Sequence, residues 1–360
     1  MKFKLLNIFI FCTICGLVLN SCGEKTDLSQ FPITTGGTDT TFNDTTYVQQ
    51  SPDWTQFNHP EALIVGKEPL LYISDTKNNR VVQMNIAGGE IGSLNMLNPR
   101  ALAQDNNFDL LVIADSVTTL NDTISVVYRI QLVSIGGIIS NASKHAVITS
   151  DFATPISSRR RRFTGISTYP DNSFIITRVG PDNVSPIDPD NALIKVKGLF
   201  SVQQYNILTG FATTGNGIYS IENTSAISTI PNSSTDFIIT RSTPDYAFKV
   251  EWFEYDNVNG AYLPKFLPED NVDIVRIQLG LPQDVTLDNS NNVYVIDSDR
   301  DSLYKFSNSG RFRSESFGGT GNGQNKFNNP MGVAWFNKVL YIADTDNNRV
   351  VRFKLSTDLN

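Results

Sequence analysis

The residues of this chain that could do chemistry are few, and most of them are oxygen donors. Histidine occurs twice in 360 residues, at His59 and His145. Two widely separated imidazoles cannot furnish both a zinc site and a proton-transfer group. Carboxylates and amides abound, so a calcium site built from about six to eight oxygens is the metal chemistry that the composition leaves open. The positions to weigh follow the proline that opens each copy of a recurring pattern: Glu61, Arg100, Gln283 with Asp284, and Met331. They are chemically mixed. A glutamate beside an arginine of the next copy suits an ion pair better than a divalent-cation cage. "DSDRDS" at Asp297, Asp299 and Asp301 imitates the first half of a calcium loop but lacks its central glycine and closing glutamate. No catalytic residue, metal ligand or cofactor is therefore assigned, and calcium enters only as part of an alternative.

Aromatic side chains are the other candidates for binding. "EWFEYDNVNGAY" (251–262) concentrates Trp252, Phe253, Tyr255 and Tyr262, and Trp335 with Phe336 interrupts the last copy of the pattern. Exposed rings of this kind stack on sugars or anchor protein partners. No glycine motif follows a strand and opens a helix as a phosphate loop does, and "GGTGNGQ" (318–324) reads as a connection with Phe317 and Phe327 as packing anchors.

The net charge is −7, which argues against nucleic acid as a partner. The one basic run, Arg159 to Arg162 in "SRRRRF", reads as a solvated loop beside a strand.

These residues are positioned by a repeat. "YISDTKNNRVVQMN" (72–85) returns as "YIADTDNNRVVRFK" (341–354). The fullest copy, 281–319, alternates apolar residues over four short strands, expected near 284–287, 293–297, 303–306 and 312–317, with turns rich in Asn, Asp, Ser and Gly. Further copies begin at His59, Asn98 and Asn329, and "GISTYPDNSFIITR" (165–178) recurs as "AISTIPNSSTDFIITR" (226–241), which makes six. A four-stranded sheet apolar on both faces cannot bury itself, so the copies must stack around a ring. The fold class is all-β, a six-bladed β-propeller of four-stranded antiparallel blades spanning 45–356. The last copy lacks a fourth strand, and "TTYVQQ" (45–50) is expected to supply it, which would hide an open sheet edge. Extra length in the middle copies, such as "GPDNVSPIDPDN" (180–191), is expected in rim loops.

The pattern of Pro-x-small-aliphatic, then "YIAD", then "NNR", resembles the NHL repeat. Within it, the Asp and Asn of "DTxNNR" read as structural turn residues. The resemblance to NHL-like amidating lyases would imply several histidines that this chain lacks. Lactonase-like six-bladed propellers use Glu, Asn and Asp around calcium, which implies the alternative of a calcium-dependent lactonase or hydrolase with its site in the central channel.

The first 21 residues pair Lys2 and Lys4 with an apolar run too short to span a membrane, the layout of an export signal. "LNSC" at 19–22 resembles the lipobox of bacterial lipoproteins, which implies cleavage before Cys22 and its lipidation. Cys12 and Cys15 lie inside the signal, so Cys22 is the one cysteine left and no disulfide framework exists. Residues 22–44 are polar and read as a tether. Gly23 in place of an acidic residue favours the outer membrane, and the junction resembles Bacteroidetes lipoproteins, some of which capture surface glycans. The expectation is a monomeric, lipid-anchored envelope protein, exported and facing the periplasm or the surface. Its propeller would bind a protein or glycan through Glu61, Arg100, Gln283 and Asp284 at the channel mouth, or through Trp252, Tyr255 and Trp335.

Overall fold

In a computed structural model, residues 45–152, 160–244 and 247–359 are described. The export signal, Cys22, the tether and Arg159 lie outside them. The described chain forms six four-stranded antiparallel sheets. Blades 1 to 5 are built from consecutive strands beginning at Pro60, Ala101, Arg162, Thr224 and Pro282, and blade 6 begins at Gly332.

Blade 6 is completed from the other end of the chain. The strand Tyr47–Trp54 pairs with Arg349–Leu355, from Tyr47 opposite Leu355 to Trp54 opposite Val350. The expected closure is therefore present, starting two residues after the "TTYVQQ" segment begins and running four residues past its end. Tyr47 and Trp54 are both buried, so the closing strand is anchored by its ends.

The reason for a ring is visible in the core. Six separate apolar clusters exist, one at each blade junction. In the second strand of blade 1, Ile73 packs toward blade 6 and its neighbour Tyr72 toward blade 2. That is the period-two alternation of a strand used on both faces.

Hydroxyls and turn side chains stitch neighbouring blades at their polar edges. Thr345 Oγ1 donates to Pro60 O, and Thr76 Oγ1 to Pro99 O, each at 2.7 Å. Asn348 Oδ1 accepts from His59 N, and Asn79 Oδ1 from Asn98 N. Both asparagines sit in left-handed backbone, which Asn tolerates better than most residues. Asp75 and Asp344 accept amides from the segments entering their blades and hold Arg80 and Arg349 at 2.7 Å. The "DTxNNR" turns are thus inter-blade clamps.

Two expectations are corrected. The fourth strand of blade 5 is only Phe317–Gly318, because an Arg313–Ser316 turn intervenes and Ser316 Oγ takes the Lys305 amide. Arg161 is not in a solvated loop. It is 3% exposed, with Nε 2.6 Å from Asp190 Oδ1 and Nη1 2.8 Å from Asp188 Oδ2.

Candidate functional site

Four of the innermost strands open with an extra residue, and in the other two the residue just before the strand takes its place; all six lie at one mouth of the central channel. In blade 1, Pro60 pairs with Asp75 and Ala62 with Ser74, leaving Glu61 as the bulge. The same shift leaves Thr164, Ser225 and Gln283 unpaired in blades 3, 4 and 5. Arg100 and Met331 occupy the matching places, each donating its amide to the carbonyl that faces the next residue. A bulge re-aims a side chain that the pleat would otherwise direct into a blade junction. The result is a collar of six unlike side chains: Glu61, Arg100, Thr164, Ser225, Gln283 and Met331.

The collar brings together the predicted Glu61, Arg100 and Gln283, with Asp284 one residue deeper. It also contains Thr164 and Ser225, which sequence reasoning missed because Phe163 and Thr224 stand where the other blades carry proline. Small residues at the next level, Gly165 and Gly332 among them, allow the innermost strands to touch. A Cβ on Gly332 would lie 2.7 Å from Glu61 O, and one on Gly165 2.8 Å from Ile227 N.

Several collar groups already have partners. Thr164 Oγ1 donates to Thr224 O, and Ser225 Oγ to Pro282 O, both at 2.7 Å, which continues the inter-blade stitching where the threonine of "DT" is missing. Gln283 Nε2 lies 3.0 Å from both Ser242 Oγ and Ser298 Oγ, which turns its carbonyl outward to accept. Arg100 pairs with Asp115 of its own blade at 3.4 Å, not with Glu61. Glu61 instead lies 3.9 Å from His59. Burial raises the Glu61 carboxyl above its usual range, opposed by the positive charges of Arg100 and Lys77. Burial likewise lowers His59, with Lys77 adding to the effect.

Asp284 lies in the throat below the collar, in a channel that Lys67 also lines. Its Oδ2 accepts from Val333 N of blade 6 at 2.9 Å and its Oδ1 from Val285 N at 2.8 Å. Removal from bulk water pushes its carboxyl up to about 7, although both amides favour the charged form. What surface it keeps faces the channel, a space of about 270 Å³.

The channel offers a divalent cation few charged ligands. Among the described residues, no group of three or more His, Cys, Asp or Glu side chains stands close enough to hold one metal. Glu61 and Asp284 are the only carboxylates lining the channel among the described residues.

The three aromatic candidates do not converge. Trp252 is 3% exposed, buried between blades 4 and 5 with Phe266 edge-on and the Lys265 ammonium 3.6 Å from its ring centre. It is a packing residue, which corrects the expectation of a binding ring. Tyr255 packs against Tyr262 on the outer strands of blade 4. Trp335 is half-buried in the channel wall toward the end opposite the collar.

The sequence matches no known family profile and no curated protein. Solved structures resemble it in fold. A gluconolactonase from Xanthomonas campestris is 10% identical, covering 87% of this chain and 97% of that one, with a TM-score of 0.56. An auxiliary nutrient binding protein from Bacteroides ovatus is 13% identical over 87% of this chain and 78% of its own, with a TM-score of 0.59. A protein from Bacteroides thetaiotaomicron is 11% identical over 87% and 77%, also at 0.59. At such identities the likeness is one of fold alone, and this fold serves both enzymes and binding proteins.

Proposed function

We propose that this chain is a non-enzymatic binding module of the cell envelope. Its repeats are of the NHL kind, it is held to the outer membrane through lipid on Cys22, and the collar face of the propeller takes a protein or glycan ligand. The observation that carries this reading is the collar itself. Six side chains, four of them aimed by bulges, converge at one opening, with acceptors at Glu61 and Gln283, a donor at Arg100 and, among the described residues, no cluster of three His, Cys, Asp or Glu side chains. The Bacteroides ovatus nutrient binding protein supports it as a fold-level analogy.

The test has two parts. Cys22→Ala should move the protein out of the membrane fraction; unchanged retention would remove the lipid anchor from the proposal. The full chain screened on a glycan array and against envelope proteins should yield a ligand whose binding falls about tenfold in Arg100→Ala and Glu61→Gln. Ligand binding indifferent to both substitutions would place recognition elsewhere.

One observation favours the alternative of a calcium-dependent lactonase or hydrolase. The Asp284 carboxyl, near 7, is poised as a proton-transfer group in the channel. Calcium-dependent turnover of lactones that is lost in Asp284→Asn would establish that reading in place of the first.

A further inference from the structure

A second cavity, of about 640 Å³, lies between blades 3 and 4, within the size range of ligand pockets. It opens on the collar face, since it is lined where the second strand of blade 3 ends at Val179 and just before the innermost strand of blade 4 begins at Thr224. Its two walls are the loops 180–191 and 213–223.

Both loops are folded around buried arginines that replace the aspartate ending the equivalent strand of the other four blades. Arg178 donates to Asp190 O, Pro189 O and the Asp188 carboxylate. Arg241, entirely buried, reaches Gly215 O, Glu222 O and Ser220 Oγ. Where aspartate clamps a short turn, arginine gathers the carbonyls of a long one. Asn191 Nδ2 donates to Thr213 O across the base and ties one wall to the other. Such a cleft is pre-organised, which lowers the ordering cost of binding.

The groups offered to a ligand are specific. Arg161 is turned inward to Asp188 and Asp190, and its neighbour Arg160 is exposed and lines the cleft. On the blade 4 side stands Glu222, with one carboxylate oxygen held by Gly215 N at 2.6 Å. Pro181 and Val184 add an aliphatic lip, Val184 being 89% exposed, and Ile187 on the same loop is 84% exposed. Large aliphatic side chains held in solvent on a loop pinned by buried ion pairs mark a surface for another apolar group. No aromatic ring lines the cleft among the described residues, so it lacks the platform on which sugar rings stack.

From this combination we infer that the cleft between blades 3 and 4 binds an extended polypeptide segment, with an acidic side chain or terminal carboxylate against Arg160 and an aliphatic side chain against Val184. The charge pairing is of the kind by which arginines capture acidic motifs. The inference rests on the reading of the chain as a binding module and names a partner class and a place for it.

The test is selection of twelve-residue peptides from a displayed random library on the full chain in detergent, followed by fluorescence-polarisation titration of the best binder. The expected result is enrichment of peptides with an acidic group beside an aliphatic residue. Binding should fall about tenfold or more in Arg160→Glu and in Val184→Asp, both surface changes whose folding is checked by thermal melts, and stay unchanged in Val258→Asp, on the exposed turn after the third strand of blade 4. Failure to enrich any peptide over selection on Arg160→Glu overturns the inference, as does a binder insensitive to both cleft substitutions. Acidic oligosaccharides bound in place of peptides and lost in Arg160→Glu would also overturn it, while leaving the binding-module reading standing. A peptide lost only in Glu61→Gln would move recognition to the collar.

Discussion

The Thr345 hydroxyl donates a 2.7 Å hydrogen bond to the Pro60 carbonyl, joining the last blade to the first across 285 positions of chain. Both groups are buried. Thr345→Val keeps the shape and strands the carbonyl, which costs about 1–3 kcal/mol. A clear fall in melting temperature is expected, with a similar fall for Thr76→Val, whose hydroxyl makes the matching bond to Pro99 O. Unchanged melting in both would mean that these bonds do not hold the blades.

The closeness of the innermost strands gives a second prediction. Gly332→Val must push blade 6 from blade 1, because its Cβ already meets Glu61 O, and overpacking of this kind costs about 1–3 kcal/mol. Gly217→Ala, in open space, should melt as the wild type does. Equal melting of the two variants would contradict the packing described.

The Arg241 and Glu251 pair supplies a third. Both are buried with 3.8 Å between them, the Glu251 carboxylate has no hydrogen-bond partner among the described residues, and burial holds it well above the usual range. Arg241→Met leaves Glu251 without its cation and the 213–222 loop without its organising donors, a change of about 3–5 kcal/mol. Limited proteolysis should then cut within that loop; resistance equal to wild type would show that the arginine does not hold it.

Much of this was legible in the residues and some was not. The "DTxNNR" residues could be read as structural turn residues because two copies kept their sequence, but their partners on the neighbouring blade could not. Thr164 and Ser225 escaped notice because the collar position is marked by a preceding proline in four blades and by Phe163 and Thr224 in the others. Arg161 looked solvated because its partners Asp188 and Asp190 lie 27 and 29 residues away, beyond any local pattern. Trp252 reads as a binding ring in the sequence because strand alternation does not distinguish a blade junction from a rim when both faces of the sheet are buried. The cleft between blades 3 and 4 left one trace, the arginines that stand where four other blades end in aspartate.

Asp284 makes a pH prediction. Below about pH 4 the carboxyl is protonated in both folded and unfolded chains and has no effect. Between there and about 7 the unfolded chain releases the proton while the folded one retains it, so this group lowers stability as pH rises and the loss levels off above 7. The melting temperature of Asp284→Asn minus that of the wild type should therefore grow from pH 4 to pH 7 and then stay constant. A difference independent of pH would mean that the carboxyl ionises in the channel as it does in water.

Calcium titration of the full chain, followed by isothermal calorimetry and thermal melting up to millimolar metal, tests the central claim most directly, since that range covers the weakest protein calcium sites. The collar described here predicts no saturable heat and no shift in melting temperature. A stoichiometric, saturable stabilisation by calcium, lost in Asp284→Asn and Glu61→Gln, would contradict it and make the channel a metal site.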